Sequence, residues 1–352
     1  MTAVNPFVSF GGLMTRKTLA AVLVATIAFG GQAYARDQIR VVGSSTVYPF
    51  ATAVAEQFGK TSGFKAPIVE STGSGGGLKL FCAGVDENTP DITNSSRRIK
   101  ASEVENCAAN GVKDIAEVVI GFDGIVIVNA KAGPTFALTR EQIYKATAKN
   151  VPKDGKLVPN PYNKWSDIDP SLPSEEIVVF GPASNHGTRD AYVELVMDPA
   201  CEKQPEVAAL AGDEKKKACQ SIREDGAYVE VSENYTVILQ KMVSQPHAVG
   251  VLTFSYLDQN GDKIKAATVD GQVASYDNIA SGKYPVSRPL FFYVKKAHLG
   301  VIPGIKEFIA EFTAEKAWSK EGYLAEKGLI ALPDAQRKSE AAKAKELVNL
   351  KL

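Results

Sequence analysis

Hydrophobic residues along this chain follow two rhythms that alternate, and the alternation predicts an α/β protein. Ile39 to Val42 is a short β-branched run closed by Gly43, and Val47 to Phe58 follows with Val54, Ala55 and Phe58 on one helical face. Ile68 to Glu70 reads as a second strand, and the Gly-rich turn after it opens a helix at Leu78 to Phe81. Asp91-Ile92 then leads through Thr93-Asn94-Ser95-Ser96-Arg97-Arg98 into a helix over Ala101 to Ala109. Short buried strands alternating with helices indicate a parallel sheet with crossover connections. Ligands of such sheets sit beyond the carboxyl ends of the strands, which is where the polar segments fall.

Two stretches break this rhythm. Ala116 to Asn129 is long enough for a strand that leaves one lobe and enters another, and Tyr284 to Val294 is a second candidate crossing. Two crossings divide the chain into a first lobe of residues 36–123 plus 289–352 and a second lobe of residues 124–288. Within the second lobe, Thr139 caps a helix with Gln142 at the capping-box position. Pro152 to Pro161 reads as a Pro/Gly/Lys-rich loop, Ile177 to Phe180 as a strand, Arg189 to Met197 and Asn234 to Val243 as helices, and Ala248 to Phe254 as a strand. Ile305, Phe308, Ile309 and Phe312 have helix spacing and are expected in the core.

The N-terminus carries an export signal. Arg16 and Lys17 precede the apolar run Leu19 to Phe29, and Ala33-Tyr34-Ala35 has the small-x-small form of a cleavage site, so residues 1–35 are expected to be removed. The run is shorter than the roughly 20 residues a membrane helix needs. Met14 is a second candidate start, and no Cys follows the cleavage site to take a lipid anchor. The mature protein is therefore expected to be soluble and periplasmic. Over the whole chain 40 Lys and Arg balance 40 Asp and Glu, without basic runs, which argues against nucleic acid as a partner. Of three possible pairings of the four Cys, the sequence-local Cys82–Cys107 and Cys201–Cys219 are the simplest for an exported chain. The lack of CxxC or Cys/His clusters speaks against a metal.

Three segments rich in small polar residues each precede a helix: Gly43-Ser44-Ser45-Thr46, Ser71-Thr72-Gly73-Ser74-Gly75-Gly76-Gly77 and Ser184-Asn185-His186-Gly187-Thr188-Arg189. A helix start offers free N–H groups and the positive end of its dipole, and Ser or Thr there adds a short donor. Three such starts converging would enclose a small oxyanion.

With Asp91-Ile92 running to Ser96-Arg97, Gly187-Thr188-Arg189-Asp190 and Ala248-Val249-Gly250-Val251 added, the order and spacing of these motifs resemble the periplasmic phosphate-binding protein of the Pst-type ABC transporter over nearly the whole mature chain. The resemblance implies a type II binding-protein fold, two α/β lobes each built on a mostly parallel sheet and joined by two hinge crossings, closing over one dehydrated phosphate. It implies a monomer that hands inorganic phosphate to an inner-membrane ABC permease, without cofactor or catalysis. The ligand set it implies is Ser45, Thr46, Val47, Ser74, Ser96, Arg97, His186, Gly187, Thr188 and Arg189. Thr46 and Ser74 would give hydroxyl and N–H, Val47 its N–H, and Gly187 and Thr188 the same from the other lobe.

Two departures stand out. Ser96 occupies the place of an Asp that accepts the proton of hydrogen phosphate in well-known members, and it lacks the charge that repels sulfate. The family's Arg falls near Pro182 and His186 replaces a Ser, which leaves Arg189 first and Arg97 second as the gripping guanidinium. Sulfate, molybdate or a phosphonate is the alternative ligand. A phosphoester hydrolase using Ser74 or Thr46 with His186 as base is the alternative class, but GxSxG, HExxH, GxGxxG and the Walker pattern are all missing.

Overall fold

The computed structural model describes residues 36–184, 186–231 and 235–352. The expected leader at residues 1–35, Asn185 and the helix start at Asn234 lie outside the described residues. The first half alternates as read: β1 (Arg40–Gly43), α1 (Tyr48–Thr61), β2 (Ile68–Ser71), α2 (Ser74–Phe81), β3 (Ile92–Ser95), α3 (Ala101–Ala109) and β4 (Ile115–Ala130). The chain continues through β5 (Ala137–Leu138), α4 (Arg140–Thr147), β6 (Asn150–Lys153), β7 (Lys156–Pro159), α5 (Trp165–Ile168), β8 (Val179–Pro182) and α6 (Gly187–Tyr192). The later strands are β9 (Tyr228–Val231), β10 (Val249–Thr253), β11 (Ile264–Ala266), β12 (Thr268–Val269) and β13 (Ser287–Lys295).

Among the described residues, the main sheet runs in the order β2-β1-β3-β13-β4-β10-β8-β9, with β11 also on β4. Its two ends are parallel, β2 with β1 and β1 with β3 in the first half, and β10 with β8 and β8 with β9 in the second. The two long strands between them are antiparallel partners, Ser287 facing Gly124 and Lys295 facing Ile115. On reaching Ile125, β4 changes partner and pairs with β10 through Asn129. One strand therefore serves two half-sheets, as expected of a crossing. A bulge between Leu290 and Phe291 kinks the pair where Gly121 adopts φ 153°, and a Cβ there would stand 2.7 Å from Ile330 O.

Local chemistry sets several boundaries. Thr139 and Gln142 form the reciprocal capping box at α4, Gln142 N–H donating to Thr139 Oγ1 at 3.1 Å and Thr139 N–H to Gln142 Oε1 at 2.8 Å. Ala101 to Ala109 is α3, and Ile305, Phe308, Ile309 and Phe312 are buried, with Phe308 edge-on to Phe58 of α1 at 5.6 Å. Pro152 to Pro161 is not a plain loop as read: β6 and β7 form a hairpin, because Asp154 at φ 53° and Gly155 at φ 74° supply the left-handed two-residue turn. Helix α2 begins at Ser74 rather than Leu78, taking in three glycines. Close approach explains Gly77, where a Cβ would lie 2.5 Å from Gly43 Cα. The helix read over Arg189 to Met197 starts at Gly187 and passes through a π-helical turn at Val193–Met197.

Disulfides join Cys82 to Cys107 and Cys201 to Cys219. The first ties the end of α2 to α3. The second ties the helical turn Asp198–Cys201 to the helix Gly212–Gln220. No helix among the described residues is long and apolar enough to cross a membrane.

Candidate functional site

Strands β2, β1 and β3 end side by side, so their carboxyl ends bring Ser71 to Ser74, Ser44 to Val47 and Ser96 to Arg97 to one edge of the first half-sheet. Gly43 permits this: at φ 133° a Cβ would fall 2.1 Å from Asn94 O, and Ser44 N–H donates to that oxygen at 3.0 Å. In the second half, β8 ends at Pro182 and α6 begins at Gly187. The two edges meet. A Cβ on Gly187 would lie 3.1 Å from Ser45 O and 3.4 Å from Thr46 Cα, so the start of α6 touches the segment leading into α1.

A cleft of about 440 Å³ opens at this meeting point, lined by Ser45 and Thr46 from one half, by His186, Gly187, Thr188 and Tyr235 from the other, and by Asp123 of β4. At about 30 Å³ per water it has room for a small anion and its hydration. Thr46 Oγ1 accepts from Arg288 Nη2 at 2.9 Å, which leaves the hydroxyl proton of Thr46 free to donate elsewhere. The hydroxyl of Thr188 bonds that of Tyr235, and the N–H of Thr188 donates to His186 Nδ1 at 3.1 Å. His186 is thus the N-cap of α6.

Other expected ligands are placed differently. The Ser45 hydroxyl donates to the Asp190 carboxylate, so it presents only lone pairs. Ser74 and Ser96 sit at the same sheet edge but are not among the cleft's lining residues, and their hydroxyls are 3.1 Å apart while Ser96 N–H donates to Ser74 Oγ at 3.1 Å. Val47 is fully buried behind the segment, its N–H 3.4 Å from Ser44 Oγ. Arg97 forms a two-pronged pair with Glu103 at 2.8 and 2.7 Å. That pairing raises the Arg97 pKa, and although burial pushes the Glu103 carboxyl up, the bond from Arg97 holds it below the ordinary carboxylate value.

Arg189, the first choice as gripping guanidinium, faces away. It donates to Pro182 O at 3.3 Å and to Glu230 Oε1 at 3.1 Å and lies over the Tyr228 ring at 5.0 Å, in a separate cavity shared with Lys149 and Arg223. One residue along a helix is about 100° of rotation, so a cleft-facing Thr188 turns its neighbour out of the cleft. Burial also pushes the Tyr228 hydroxyl up to about 12.

The guanidinium beside the cleft is Arg288. It sits on β13 opposite Asp123 of β4, with Nε 3.6 Å from Asp123 Oδ2, Nη1 on Glu194 of the π-helical turn and Nη2 on Thr46. Burial raises the Asp123 carboxyl pKa, Arg288 pulling it down and Glu194 adding to the rise. Burial likewise raises the Tyr235 hydroxyl. The reading of the chain missed Asp123, Glu194 and Tyr235 and took Arg288 only as hinge. The available signal was a charge inside an apolar strand, Asp123 within Ile120-Gly121-Phe122-Asp123-Gly124-Ile125. Among the described residues, no group of His, Cys, Asp and Glu is placed to hold a metal ion.

Two α/β half-sheets sharing a pair of crossing strands, with helix starts from both against one cleft, define a two-lobed solute-binding fold of the periplasmic binding-protein type. A family profile described as the PBP superfamily domain matches residues 30–316, and the chain belongs to that superfamily. It is 28% identical over 341 residues to the phosphate-binding protein PstS of Staphylococcus saprophyticus, covering 94% of this chain and 92% of the relative. It is 29% identical over 267 residues to protein SphX of Synechococcus elongatus, covering 74% and 69%. A crystal structure of a possible phosphate binding protein from Planctomyces limnophilus superposes with a TM-score of 0.71 at 28% identity, covering 89% of this chain and 99% of that one. The fold is also that of an ABC-type phosphate transport receptor from Vibrio cholerae, with a TM-score of 0.57 at 23% identity over 84% and 100% of the two chains.

Proposed function

We propose that this chain is an exported, monomeric receptor that captures inorganic phosphate between its lobes and delivers it to an ABC permease of the inner membrane. It is a binding protein, not a catalyst. The observation that carries the reading is the contact of the Gly187-Thr188 helix start with Ser45 and Thr46 across the cleft. Converging helix starts neutralise an anion with oriented dipoles and need no counter-ion to be desolvated. The relatives named for phosphate binding supply the identity of the anion. Thr46 and Thr188 are the principal hydroxyl donors in this reading, with backbone N–H groups at Thr46 and Gly187. Ser74 and Ser96 would join them from the first lobe on closure. The lobes are residues 36–123 plus 289–352 and residues 124–288, moving about the crossing strands near Gly124 and Arg288, and residues 1–35 are the removed leader.

Titration calorimetry of the mature chain with phosphate, sulfate and molybdate tests this. Phosphate is expected to bind tightest, and Thr188→Ala to weaken it by about 1 to 3 kcal/mol through loss of a hydroxyl to a charged ligand. Sulfate displacing phosphate at comparable concentration would overturn the choice of anion, and full affinity in Thr188→Ala would show the pocket misplaced.

A further inference from the structure

Two threonine side chains line the cleft, one from each half, and each is bonded to a second side chain behind it. Thr46 Oγ1 accepts from Arg288 Nη2 at 2.9 Å. Thr188 Oγ1 bonds the phenol of Tyr235, which lines the same cleft from the helix Tyr235–Ser244. The N–H of Thr188 is already spent on His186 Nδ1 at 3.1 Å, so the hydroxyl proton is the donor that Thr188 has left for an anion. That proton is available to the cleft only if the bond between the two hydroxyls runs from Tyr235 to Thr188. A phenol is the stronger acid and an aliphatic alcohol the stronger base, which favours that direction. The phenol is also fixed in place, its ring tilted against His186 at 5.5 Å and Tyr256 at 5.3 Å. Burial raises its pKa against the pull of Thr188, so it holds its proton at neutral pH.

We infer that Tyr235 is a positioning residue of the anion site: by donating to Thr188 Oγ1 it turns the threonine proton toward the bound phosphate, as Arg288 does for Thr46 in the other half. The inference rests on the phosphate reading above. Hydrogen bonds in series polarise one another, so a threonine hydroxyl that accepts from a phenol donates more strongly to an anion than a free one. Orientation adds to this, because a free Thr188 hydroxyl would rotate and would have to be ordered on binding. The phenol comes from 47 residues further along the chain, and its ring, packed between His186 and Tyr256, brings only the hydroxyl to Thr188.

The test is a double-variant cycle on the mature chain, read by calorimetry with phosphate: wild type, Tyr235→Phe, Thr188→Ala and the two combined. Phenylalanine keeps the ring between His186 and Tyr256 and removes only the hydroxyl. Tyr235→Phe is expected to weaken phosphate by about tenfold, and to change it by less than about twofold once Thr188 is alanine, since no hydroxyl is left to orient. On Thr188→Ser, which restores a hydroxyl, the loss from Tyr235→Phe should return. A second reading needs no Tyr235 variant and stands alone if Tyr235→Phe fails to fold. Phosphate should shift the tyrosine absorption of the wild type to the red, as the phenol proton is drawn toward Thr188, and the shift should be missing from Thr188→Ala saturated with phosphate. Full affinity in Tyr235→Phe, an equal loss with and without the Thr188 hydroxyl, or a spectrum that responds alike in wild type and Thr188→Ala overturns this inference alone. A wild type that ignores phosphate, or full affinity in Thr188→Ala, overturns the reading it rests on, and this inference with it.

Discussion

Arg288→Met removes a guanidinium that joins both crossing strands to the cleft, and its cost can be worked from the contacts. Arg288 faces Asp123 across the strand pair at 3.6 Å, bonds Thr46 at 2.9 Å and pairs with Glu194. Glu194 is half exposed and will hydrate when its partner goes, so it adds little. Asp123 is buried and cannot. An uncompensated buried charge costs about 3 to 5 kcal/mol, limited here because Asp123 can take up a proton instead. Asp123→Asn alone should cost only about 1 kcal/mol, because Arg288 keeps Glu194 and Thr46 and burial already disfavours the carboxylate. In the double variant no charge is stranded, so the two losses should fall short of additive by about 2 kcal/mol.

Urea unfolding of the four proteins at neutral pH, with equal slopes, gives that coupling directly. The pH dependence supplies a second check. A carboxyl whose folded pKa lies above its unfolded value favours the fold at low pH, so the deficit of Arg288→Met should shrink as pH falls from 7 toward 4. Additivity within about 0.5 kcal/mol, the usual result for independent sites, would refute the claim that these residues act as a pair.

Two further expectations follow from close contacts and burial. Gly187→Ala places a methyl 3.1 Å from Ser45 O at ordinary backbone φ, so it should wedge the lobes and weaken phosphate by about tenfold. Its melting temperature should barely change, and undiminished affinity by calorimetry would refute the wedge. Lys295 is fully buried against Gly84 O and Thr89, and burial lowers its pKa from 10.5 to about 8, worth about 3 kcal/mol. A base depressed in the fold binds fewer protons than in the unfolded chain, so stability should rise between pH 8 and 10.5. Denaturant midpoints across that range should lose this rise in Lys295→Met, and an unaltered profile would count against it.

Features with a local cause were legible in the chain. The capping box at Thr139 and Gln142 needs only residues three apart, and α3 and the buried face of Ile305 to Phe312 follow from helical period. The crossing strand was legible for its length and continuous apolar character. The hairpin at Asn150 to Pro159 was overlooked although Asp154-Gly155 is a local turn signal, because the flanking prolines and lysines read as loop. The start of helix α2 could not be placed from propensity, since Gly77 is there for contact with Gly43 in another strand. The site divides the same way: the helix starts at Thr46 and Thr188 are local patterns. Arg288 and Asp123 meet only through the register of strands far apart in sequence, and proximity to Thr188 in sequence wrongly favoured Arg189.

The placement of Asp123 and Arg288 puts two charged residues where the half-sheets meet. Gly124 is the last residue of β4 paired with β13 and Ile125 the first paired with β10, so both charged residues lie at the handover between half-sheets. A ligand shifts a conformational equilibrium only by its difference in affinity for the two states. Thr46, which lines the cleft, is bonded to Arg288 at that handover, so a ligand held by Thr46 more firmly in one state than the other would bear on the crossing strands through Arg288.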